Sequence, residues 1–331
     1  MKLQMTISGV WPGRHLARMA GLAMALLACG ALPAEAWPDH PVKLVTLAGP
    51  GGGSDTVARI IAEALTRNWG KAVVVDNRPG ADGIIAVDAL LAARDGHTLL
   101  FAPTGIVTAN PLLHPKLPYD PARDLLPVTL AVEDFIAIAT SPGLTGSLPA
   151  LIEMARTRPK ALNYATVPGP PLLFGLGLQR SANFEMTLIS YRNPIAAVQD
   201  LATSRIDVGL MPLASVLGLA KAKQLDILAV TNPRRAPSAP DIPSVSEQGF
   251  GELAFFGGLG FFAPHDMPDD LRNRIAEDIR SVVQMPEVKS RLEEIGYVVR
   301  GDGPADFRRI LDEQAIKWSK LVRQYGISPA E

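Results

Sequence analysis

The stretch Lys43-Leu44-Val45-Thr46-Leu47-Ala48-Gly49-Pro50-Gly51-Gly52-Gly53-Ser54-Asp55 decides the fold of this 331-residue chain. Its first half is an apolar run typical of a buried strand, and its second half is a glycine-rich turn. Ser54 or Asp55 is predicted to cap the following helix, whose apolar residues recur with a 3.6-residue period. Such a turn brings backbone N–H groups and the positive end of a helix dipole to one point, where a small anion can bind.

Strands and helices alternate behind this stretch. The pattern predicts strands at 72–76 and 97–102, with a helix over about 84–93 between them. This β-α-β-α-β order predicts a parallel sheet with helices on both faces. A proline-rich passage, from Pro111 to Pro127, precedes a strand and crossover at 135–139. The alternation then resumes, with predicted helices near 148–157 and 171–182 and strands at 163–166, 187–191, 207–210 and 227–231.

The alternation predicts an α/β fold with two lobes of Rossmann-like character. The segment 257–263 is predicted to return the chain to the first lobe, and helices are predicted to begin at Pro268 and Pro304. The first lobe is then 37–138 and 262–331, and the second is 139–261. Open α/β sheets bind ligands at the C-terminal ends of their strands, so the loops of both lobes are expected to face a shared cleft.

Residues 1–36 have the features of a cleaved secretory signal, which predicts a periplasmic protein. Lys2, Arg14 and Arg18 form the basic region, an apolar run covers 19–27, and Ala34-Glu35-Ala36 supplies a cleavage site. The apolar run is shorter than the ~20 residues of a membrane span. The only cysteine, Cys29, follows Leu26-Leu27-Ala28 and offers lipoprotein anchoring as the alternative. Cleavage at Ala36 leaves no cysteine, which excludes disulfides, thiol nucleophiles and cysteine metal sites.

Charge and motifs exclude several other functions. The signal carries Lys2, Arg14, Arg18 and Glu35, and its removal takes the net charge from −1 to about −3. No basic cluster accompanies this charge, so nucleic-acid binding is not expected. The glycine turn lacks the Lys-Ser/Thr of a nucleotide-binding P-loop, and Ser54 stands where a dinucleotide fingerprint has a third glycine. The histidines show no metal-ligand spacing and no catalytic motif is present, so neither a cofactor nor a metal is expected.

Several short and distinctive blocks of sequence follow one another along the mature chain: Trp37-Pro38, Pro50-Gly51-Gly52-Gly53-Ser54-Asp55, Val74-Val75-Asp76-Asn77-Arg78-Pro79-Gly80-Ala81, Asp95-Gly96-His97-Thr98, Leu117-Pro118-Tyr119-Asp120-Pro121 and Pro240-Asp241-Ile242-Pro243-Ser244-Val245. In this order they resemble the Bug-type extracytoplasmic solute receptors of tripartite tricarboxylate transporters. The resemblance implies a type II, Venus-flytrap binding protein without enzymatic activity, which closes around a small carboxylate. It further implies a membrane permease of that transporter type, or a sensor kinase, as partner of a monomeric receptor.

The candidate ligand-binding residues come from both lobes: Gly51, Gly52, Gly53, Ser54, Asp55, Thr104 and Thr108 in the first, and Thr166, Tyr191 and Met211 in the second. Asp55 is interpreted as bonding backbone amides, because a bare carboxylate would repel an anion. Asp76 is interpreted as capping the turn that follows it, not as a ribose-binding acid.

The second lobe departs from the family pattern. Residues 166–174 are rich in proline and lack the usual histidine, and the loop at 210–213 lacks the usual polar or acidic residue. This more apolar wall predicts an anionic ligand with a hydrophobic or aromatic body, in preference to a di- or tricarboxylate. Phe255 and Phe256 are predicted either to line the pocket or to pack in the core.

An exported enzyme on the same two-lobed scaffold is the alternative function. Its catalytic acids would come from Asp55, Glu133, Glu185 and Asp207, which form no recognisable pair in the sequence.

Overall fold

The computed structural model describes Met1, Gln4 and residues 37–191 and 194–327. The predicted export signal therefore lies outside the described residues except for Met1 and Gln4, and so does Cys29. The chain divides into the units Met1–His40 and Pro41–Glu331, and every element named below belongs to the second unit. Within the described ranges, no helix is both long enough and apolar enough to cross a membrane.

The first sheet has six strands. They are β1 (Val42–Thr46), β2 (Val73–Asn77), β3 (Thr98–Pro103), β4 (Leu125–Asp134), β10 (Gly257–Pro264) and β11 (Val298–Asp302), in the spatial order β11-β4-β10-β3-β1-β2. The predicted parallel arrangement is confirmed for β1, which lies parallel to β2 and to β3. The sheet is mixed because β10 returns antiparallel to both β3 and β4.

The second sheet has five strands. They are β5 (Ile136–Thr140), β6 (Asn163–Thr166), β7 (Thr187–Leu188), β8 (Val208–Pro212) and β9 (Asp226–Val230), in the order β7-β6-β8-β5-β9. β6 and β8 are parallel, whereas β5 is antiparallel to β8 and β9. The α/β fold with two lobes is confirmed. The strand predicted at 187–191 is shorter than expected and ends at Leu188.

Twelve helices of the described residues connect and cover the sheets. They are α1 (Gly53–Trp69), α2 (Ile84–Ala93), α3 (Gly105–Thr108), α4 (Asn110–Leu113), α5 (Pro121–Asp124), α6 (Leu148–Thr157), α7 (Pro170–Ser181), α8 (Pro194–Ala202), α9 (Leu213–Lys221), α10 (Asp269–Val283), α11 (Pro286–Glu294) and α12 (Pro304–Tyr325). Two short 3₁₀ turns cover Ala81–Gly83 and Ser246–Gln248. The predicted helices at 84–93 and 148–157 have the observed bounds.

Strand β4 begins in the proline-rich passage, where no strand was predicted. Pro127 lies opposite Phe262, next to a shift in the β4–β10 register. Proline has no N–H to donate to a ladder, and a register irregularity is one of the few places where a sheet accepts it. The ten-residue strand that results reaches from the sheet to the crossing between the lobes.

Three segments connect the lobes. The chain passes to the second sheet at Phe135, between β4 and β5, and returns between β9 and β10. The boundaries predicted between the two lobes, at 138/139 and 261/262, fall inside β5 and β10. Helix α12 is the third connection, because Phe307 packs in the core of the first lobe whereas Trp318 packs in the core of the second.

Candidate functional site

The start of α1 carries backbone donors that the protein leaves free. The N-cap residue is Gly52, not Ser54 or Asp55 as predicted, and no side chain caps the helix. The Gly52 amide donates to Gly49 O at 3.2 Å, and the Thr56 amide donates to Gly52 O at 2.9 Å. Among the described residues, no acceptor receives the amides of Gly53, Ser54 and Asp55. Three N–H groups at the positive end of a 17-residue helix are thus available to an anion.

Asp55 holds the glycine turn in shape. Its buried carboxylate accepts the Gly51 amide at 2.9 Å, Arg59 Nε at 2.9 Å and Asn77 Nδ2 at 2.8 Å. Burial acts to raise the pKa of Asp55, but the hydrogen bonds from Arg59, Asn77 and Gly51 outweigh it and the pKa is lowered. The carboxylate is therefore ionised and engaged with the protein's own donors.

Asn77 links the glycine turn to the neighbouring strand, a role that sequence reasoning missed. It ends β2, and its Nδ2 donates to Ala48 O at 2.8 Å as well as to Asp55. Because β1 and β2 are parallel, their C-terminal ends lie side by side and Asn77 can reach the turn after β1. Asp76 bonds the Arg78 guanidinium at 3.0 Å, in line with its interpretation as a structural residue of the turn.

The loop after β2 is a strained support for the first-lobe site. Gly80, Ala81, Asp82 and Gly83 all have positive φ, of 119°, 46°, 52° and 90°. A side chain on Gly83 would meet Leu47 Cδ2 at 3.0 Å, so the loop packs closely behind the glycine turn. Left-handed conformations at non-glycine residues cost about 1–3 kcal/mol each and persist only where the surroundings hold them. Here the Asp82 carbonyl accepts from Asn110 Nδ2 at 3.0 Å.

The third loop of the first lobe follows β3. Thr104 and Thr108 are both buried, with 2% of their surface exposed. The Thr104 amide donates to Gly258 O at 2.9 Å, and the Thr108 hydroxyl donates to Thr104 O at 3.2 Å. Both hydroxyls keep a lone pair that can accept, but the proton of Thr108 is already used inside the protein.

The start of α9, in the second lobe, faces the start of α1. A methyl group on Gly53 would lie 3.8 Å from both Ala214 Cβ and Ser215 Oγ. The Leu213 amide is taken by Phe135 O at 2.6 Å, which fixes the helix start to the lobe crossing. Ser215 was not among the predicted site residues. The available signal was Pro212 at the end of β8, followed by a helix that opens with Leu213, Ala214 and Ser215.

A second contact joins the lobes at Gly105. A methyl group there would lie 2.7 Å from Pro170 Cδ and 3.8 Å from Gly169 Cα. The loop after β3 therefore touches the loop after β6, and both lie at the C-terminal ends of their strands. The predicted meeting of loops from the two lobes is present at two places.

The three predicted second-lobe residues have different surroundings. Thr166 ends β6 and is partly exposed, and its hydroxyl donates to Val167 O at 3.0 Å. Tyr191 donates its hydroxyl to Asp200 at 2.7 Å and packs against the core of its own lobe. Met211 is 1% exposed and lies inside that core. Of the three, Thr166 alone lies partly exposed at the end of a strand.

One further side chain, that of Tyr297, reaches the site from the turn before β11. Tyr297 is buried with its hydroxyl against the start of α1, where a methyl group on Gly53 would approach it to 2.9 Å. Burial and the charge of Asp134 raise the pKa of Tyr297 well above its usual range, while a hydrogen bond with Ser54 opposes the rise. Phe255 is a core residue, and its ring meets the tilted ring of Phe174 at 5.9 Å and the ring of Trp318 edge-on at 5.1 Å.

Comparisons with known proteins identify the family. Residues 57–327 match the model of the tripartite tricarboxylate transporter family receptor. A UPF0065 protein of Bordetella bronchiseptica is 31% identical over 320 residues, covering 95% of each chain. Protein BugT of Bordetella pertussis is 27% identical over 298 residues, covering 88% of this chain and 91% of its own. An R. palustris protein solved with adipate superposes with a TM-score of 0.83 at 28% identity, covering 89% of this chain and all of the other. The chain belongs to the Bug-type receptors of the tripartite tricarboxylate transporter family.

Proposed function

We propose that the protein is a periplasmic receptor that captures a small carboxylate between its lobes and presents it to a tripartite tricarboxylate-type permease or to a sensor kinase. The observation that carries the proposal is the trio of unpaired amides at Gly53, Ser54 and Asp55, which faces the start of α9. A carboxylate is small and planar enough to accept from adjacent helix amides. The helix dipole favours its charge without a cationic side chain.

Capture depends on hinge closure. The three connections at Phe135, at 231–256 and along α12 allow the lobes to rotate, and the contacts at Gly53 and Gly105 form when the cleft is shut. A ligand that touches both lobes stabilises the shut form by its differential affinity, and so shifts an existing equilibrium. The shut form then carries the surface that a permease or sensor recognises.

The wall of the second lobe supports an apolar ligand body. Val167, Pro168 and Pro170 follow β6 where the family resemblance leads one to expect polar residues. We propose a carboxylate with a hydrophobic or aromatic body as the preferred ligand. Adipate, with which the R. palustris relative was solved, has an apolar chain between two carboxylates, so it supports an apolar ligand body and argues against a strict preference for a single carboxylate.

The acids considered for an enzymatic alternative all have structural partners. Asp55 binds the glycine turn, Asp207 accepts the Asn163 amide at 2.8 Å, and Glu133 binds Arg234 at 2.5 Å. Glu185 lies 3.3 Å from the Lys160 ammonium on the surface. These pairings favour a receptor over a hydrolase, because general acids and bases need access to a substrate proton.

The test is a thermal-shift and calorimetric screen of carboxylates, followed by two variants at one position. A ligand at 100 times its Kd should stabilise the protein by ~2.7 kcal/mol. Ser54→Pro removes one of the three amides, and the first turn of a helix tolerates proline. Ser54→Ala removes the hydroxyl and keeps the amide, so it is the matched control.

We expect Ser54→Pro to lose binding of any carboxylate hit and Ser54→Ala to keep most of it. Equal affinity in wild type and a folded Ser54→Pro variant would refute the amide site. Turnover of a hit would refute the receptor function.

A further inference from the structure

Asn110 joins two loops of the first lobe from a buried position. It begins α4 and is 2% exposed. Its Nδ2 donates to Asp82 O, in the loop after β2, at 3.0 Å and to the Tyr119 hydroxyl at 3.1 Å. The buried Tyr119 extends the network, because its own hydroxyl donates to Ile106 O in α3 at 2.7 Å. Asn110 therefore holds the loop after β2 against the segment that follows β3.

The loop after β2 depends on this support. Ala81 and Asp82 are non-glycine residues with left-handed φ angles of 46° and 52°. Such a conformation is unfavourable for a residue with a Cβ and persists where the surroundings hold it. The Asp82 carbonyl is held by Asn110, and the Asp82 carboxylate lies 2.9 Å from Nε2 of His114, the residue that follows α4. The strained turn is thus fixed by side chains of α4 and of the residue after it.

The same loop packs behind the glycine turn of the candidate anion site. A Cβ on Gly83 would meet Leu47 Cδ2 at 3.0 Å and Ile106 Cγ2 at 3.3 Å. Leu47 lies between the end of β1 and the glycine turn, and Ile106 lies in α3. Gly83 fills the space between these two side chains, so a loop that leaves its left-handed conformation removes the packing behind the turn.

The segment that carries Asn110 also contacts the second lobe. A Cβ on Gly105 would lie 2.7 Å from Pro170 Cδ, and a Cβ on Gly169 would lie 4.0 Å from Ala109 Cβ. Ala109, which directly precedes Asn110, is fully buried in the apolar cluster that forms the core of the second lobe. Closure of the lobes therefore packs the start of α4 against the second lobe, and opening removes those contacts.

We propose that Asn110 is a positioning residue that transmits lobe closure to the anion site. Closure packs α3 and α4 against the second lobe, Asn110 then holds the loop after β2 in its left-handed turn, and that loop supports the glycine turn whose amides bind a carboxylate. This inference rests on the proposed function and concerns the regulation of the same site. Asn110 acts through the loop, so its loss weakens ligand binding in addition to any loss of stability in the free protein.

The test measures the Kd of three carboxylate probes, adipate, hexanoate and 3-phenylpropanoate, by calorimetry. Asn110→Ala removes the bond to Asp82 O, and Tyr119→Phe is the milder variant because it removes one oxygen atom of the network. Asn163→Ala is the matched control. Asn163 begins β6, at the end of the second sheet away from the cleft, and its side chain accepts the Asp207 amide at 3.1 Å.

We expect the Kd of the tightest probe to rise about tenfold in Asn110→Ala and about threefold in Tyr119→Phe, and to stay within about twofold of wild type in Asn163→Ala. Urea unfolding separates a positioning role from a structural one. A purely structural residue weakens the free and the bound protein equally, so the rise in unfolding midpoint that the probe causes stays the same. We expect that rise to be smaller in Asn110→Ala and unchanged in Asn163→Ala.

Glycine at position 81 provides a rescue that depends on the strained turn. Ala81→Gly removes the steric penalty of the left-handed φ. Combined with Asn110→Ala, it should recover most of the lost affinity, whereas Ala81→Gly alone should leave the Kd within about twofold of wild type. If Asn110→Ala fails to fold, Tyr119→Phe and its combination with Ala81→Gly decide by the same criteria.

An unchanged Kd in the folded network variants overturns this inference alone, because the carboxylate still binds. An equal rise of Kd in Asn163→Ala also overturns it, and so does the absence of rescue by Ala81→Gly. If none of the three probes binds wild type, the receptor function fails and this inference fails with it.

Discussion

The contact between Gly105 and Pro170 offers a direct test of lobe closure. Gly105 begins α3 in the first lobe, and Pro170 begins α7 in the second. In the Gly105→Ala variant the new methyl carbon would lie 2.7 Å from Pro170 Cδ. Carbon atoms in ordinary contact are ~3.5–4.0 Å apart, so one of the two must move by ~0.8 Å.

The proline cannot move aside by rotating a side chain. Its ring is rigid, and it follows Gly169, whose φ of +85° already lies in the left-handed region. Relief must come from separating the loops, which means opening the lobes. Overpacking of this kind costs about 1–3 kcal/mol. If the bound state is the shut state, the Kd of a carboxylate ligand rises roughly 5- to 150-fold.

The assay is calorimetric Kd for a carboxylate hit, together with urea unfolding without ligand. The unliganded variant can open its hinge, so its free energy of unfolding should change by less than about 0.5 kcal/mol. Gly218→Ala is the matched control, because Gly218 lies in α9 with open space around it. It should leave the Kd unchanged and gain up to about 1 kcal/mol of helix stability. An unchanged Kd in Gly105→Ala, or a loss of stability above 2 kcal/mol in the free protein, would refute the reasoning.

Three further predictions concern single side chains. Asp55→Ala should lower the free energy of unfolding in urea at pH 7 by about 2–4 kcal/mol, since buried donors lose their acceptor, and a loss below 0.5 kcal/mol would contradict this. Because the pKa of Asp55 is lowered in the folded protein, its contribution to the free energy of unfolding is complete above the ordinary pKa of 3.8 and is lost as the pH falls through the lowered pKa. The free energies of unfolding of wild type and variant should therefore converge in strong acid. Gly53→Ala should cost about 1–2 kcal/mol through its approach to the Tyr297 hydroxyl, and adding Tyr297→Phe should restore most of it in a double-mutant cycle; additive losses would count against the contact. Trp318→Ala should cost about 3–5 kcal/mol by thermal or urea unfolding, whereas Ile316→Ala, 70% exposed on the same helix, should cost less than about 0.5; similar losses would contradict the assigned packing.

The periodicity of the sequence was sufficient for most of the fold. The strand at Val42–Thr46 and the helix at Ile84–Ala93 follow from local apolar patterns, because each element buries one face or both faces against a single layer. Strand β4 does not follow, since Pro127 argues locally against a strand and its place depends on a register irregularity with a partner more than 120 residues away. Strand propensity is a property of a single segment, whereas strand pairing also depends on the sequence of the partner strand.

The candidate site likewise has a part that local sequence predicts and a part that depends on residues distant in the sequence. The glycine turn was predicted, because its donors belong to consecutive residues of one loop. Met211 was expected at the ligand, yet its side chain lies in the core, and the exposed group of that turn is Ser215, four residues later. Ser54 and Tyr297 are 243 residues apart, so no local pattern could place the Tyr297 hydroxyl beside the start of α1.

The proposed capture of an anion between two helix starts gives a reason why ligand binding and lobe closure should depend on each other. The N-termini of α1 and α9 each carry about half a positive charge. Placed ~5 Å apart at an effective dielectric constant of ~20, they repel each other by ~0.8 kcal/mol, which favours an open cleft when no anion is present. A carboxylate ~4 Å from both gains ~2 kcal/mol from each, so the attraction exceeds the repulsion about fivefold. At the proposed site, two dipoles that favour an open cleft without an anion should therefore favour a shut cleft around one. A neutral isostere such as the primary amide of the ligand should fail to shut the cleft even where its body fits.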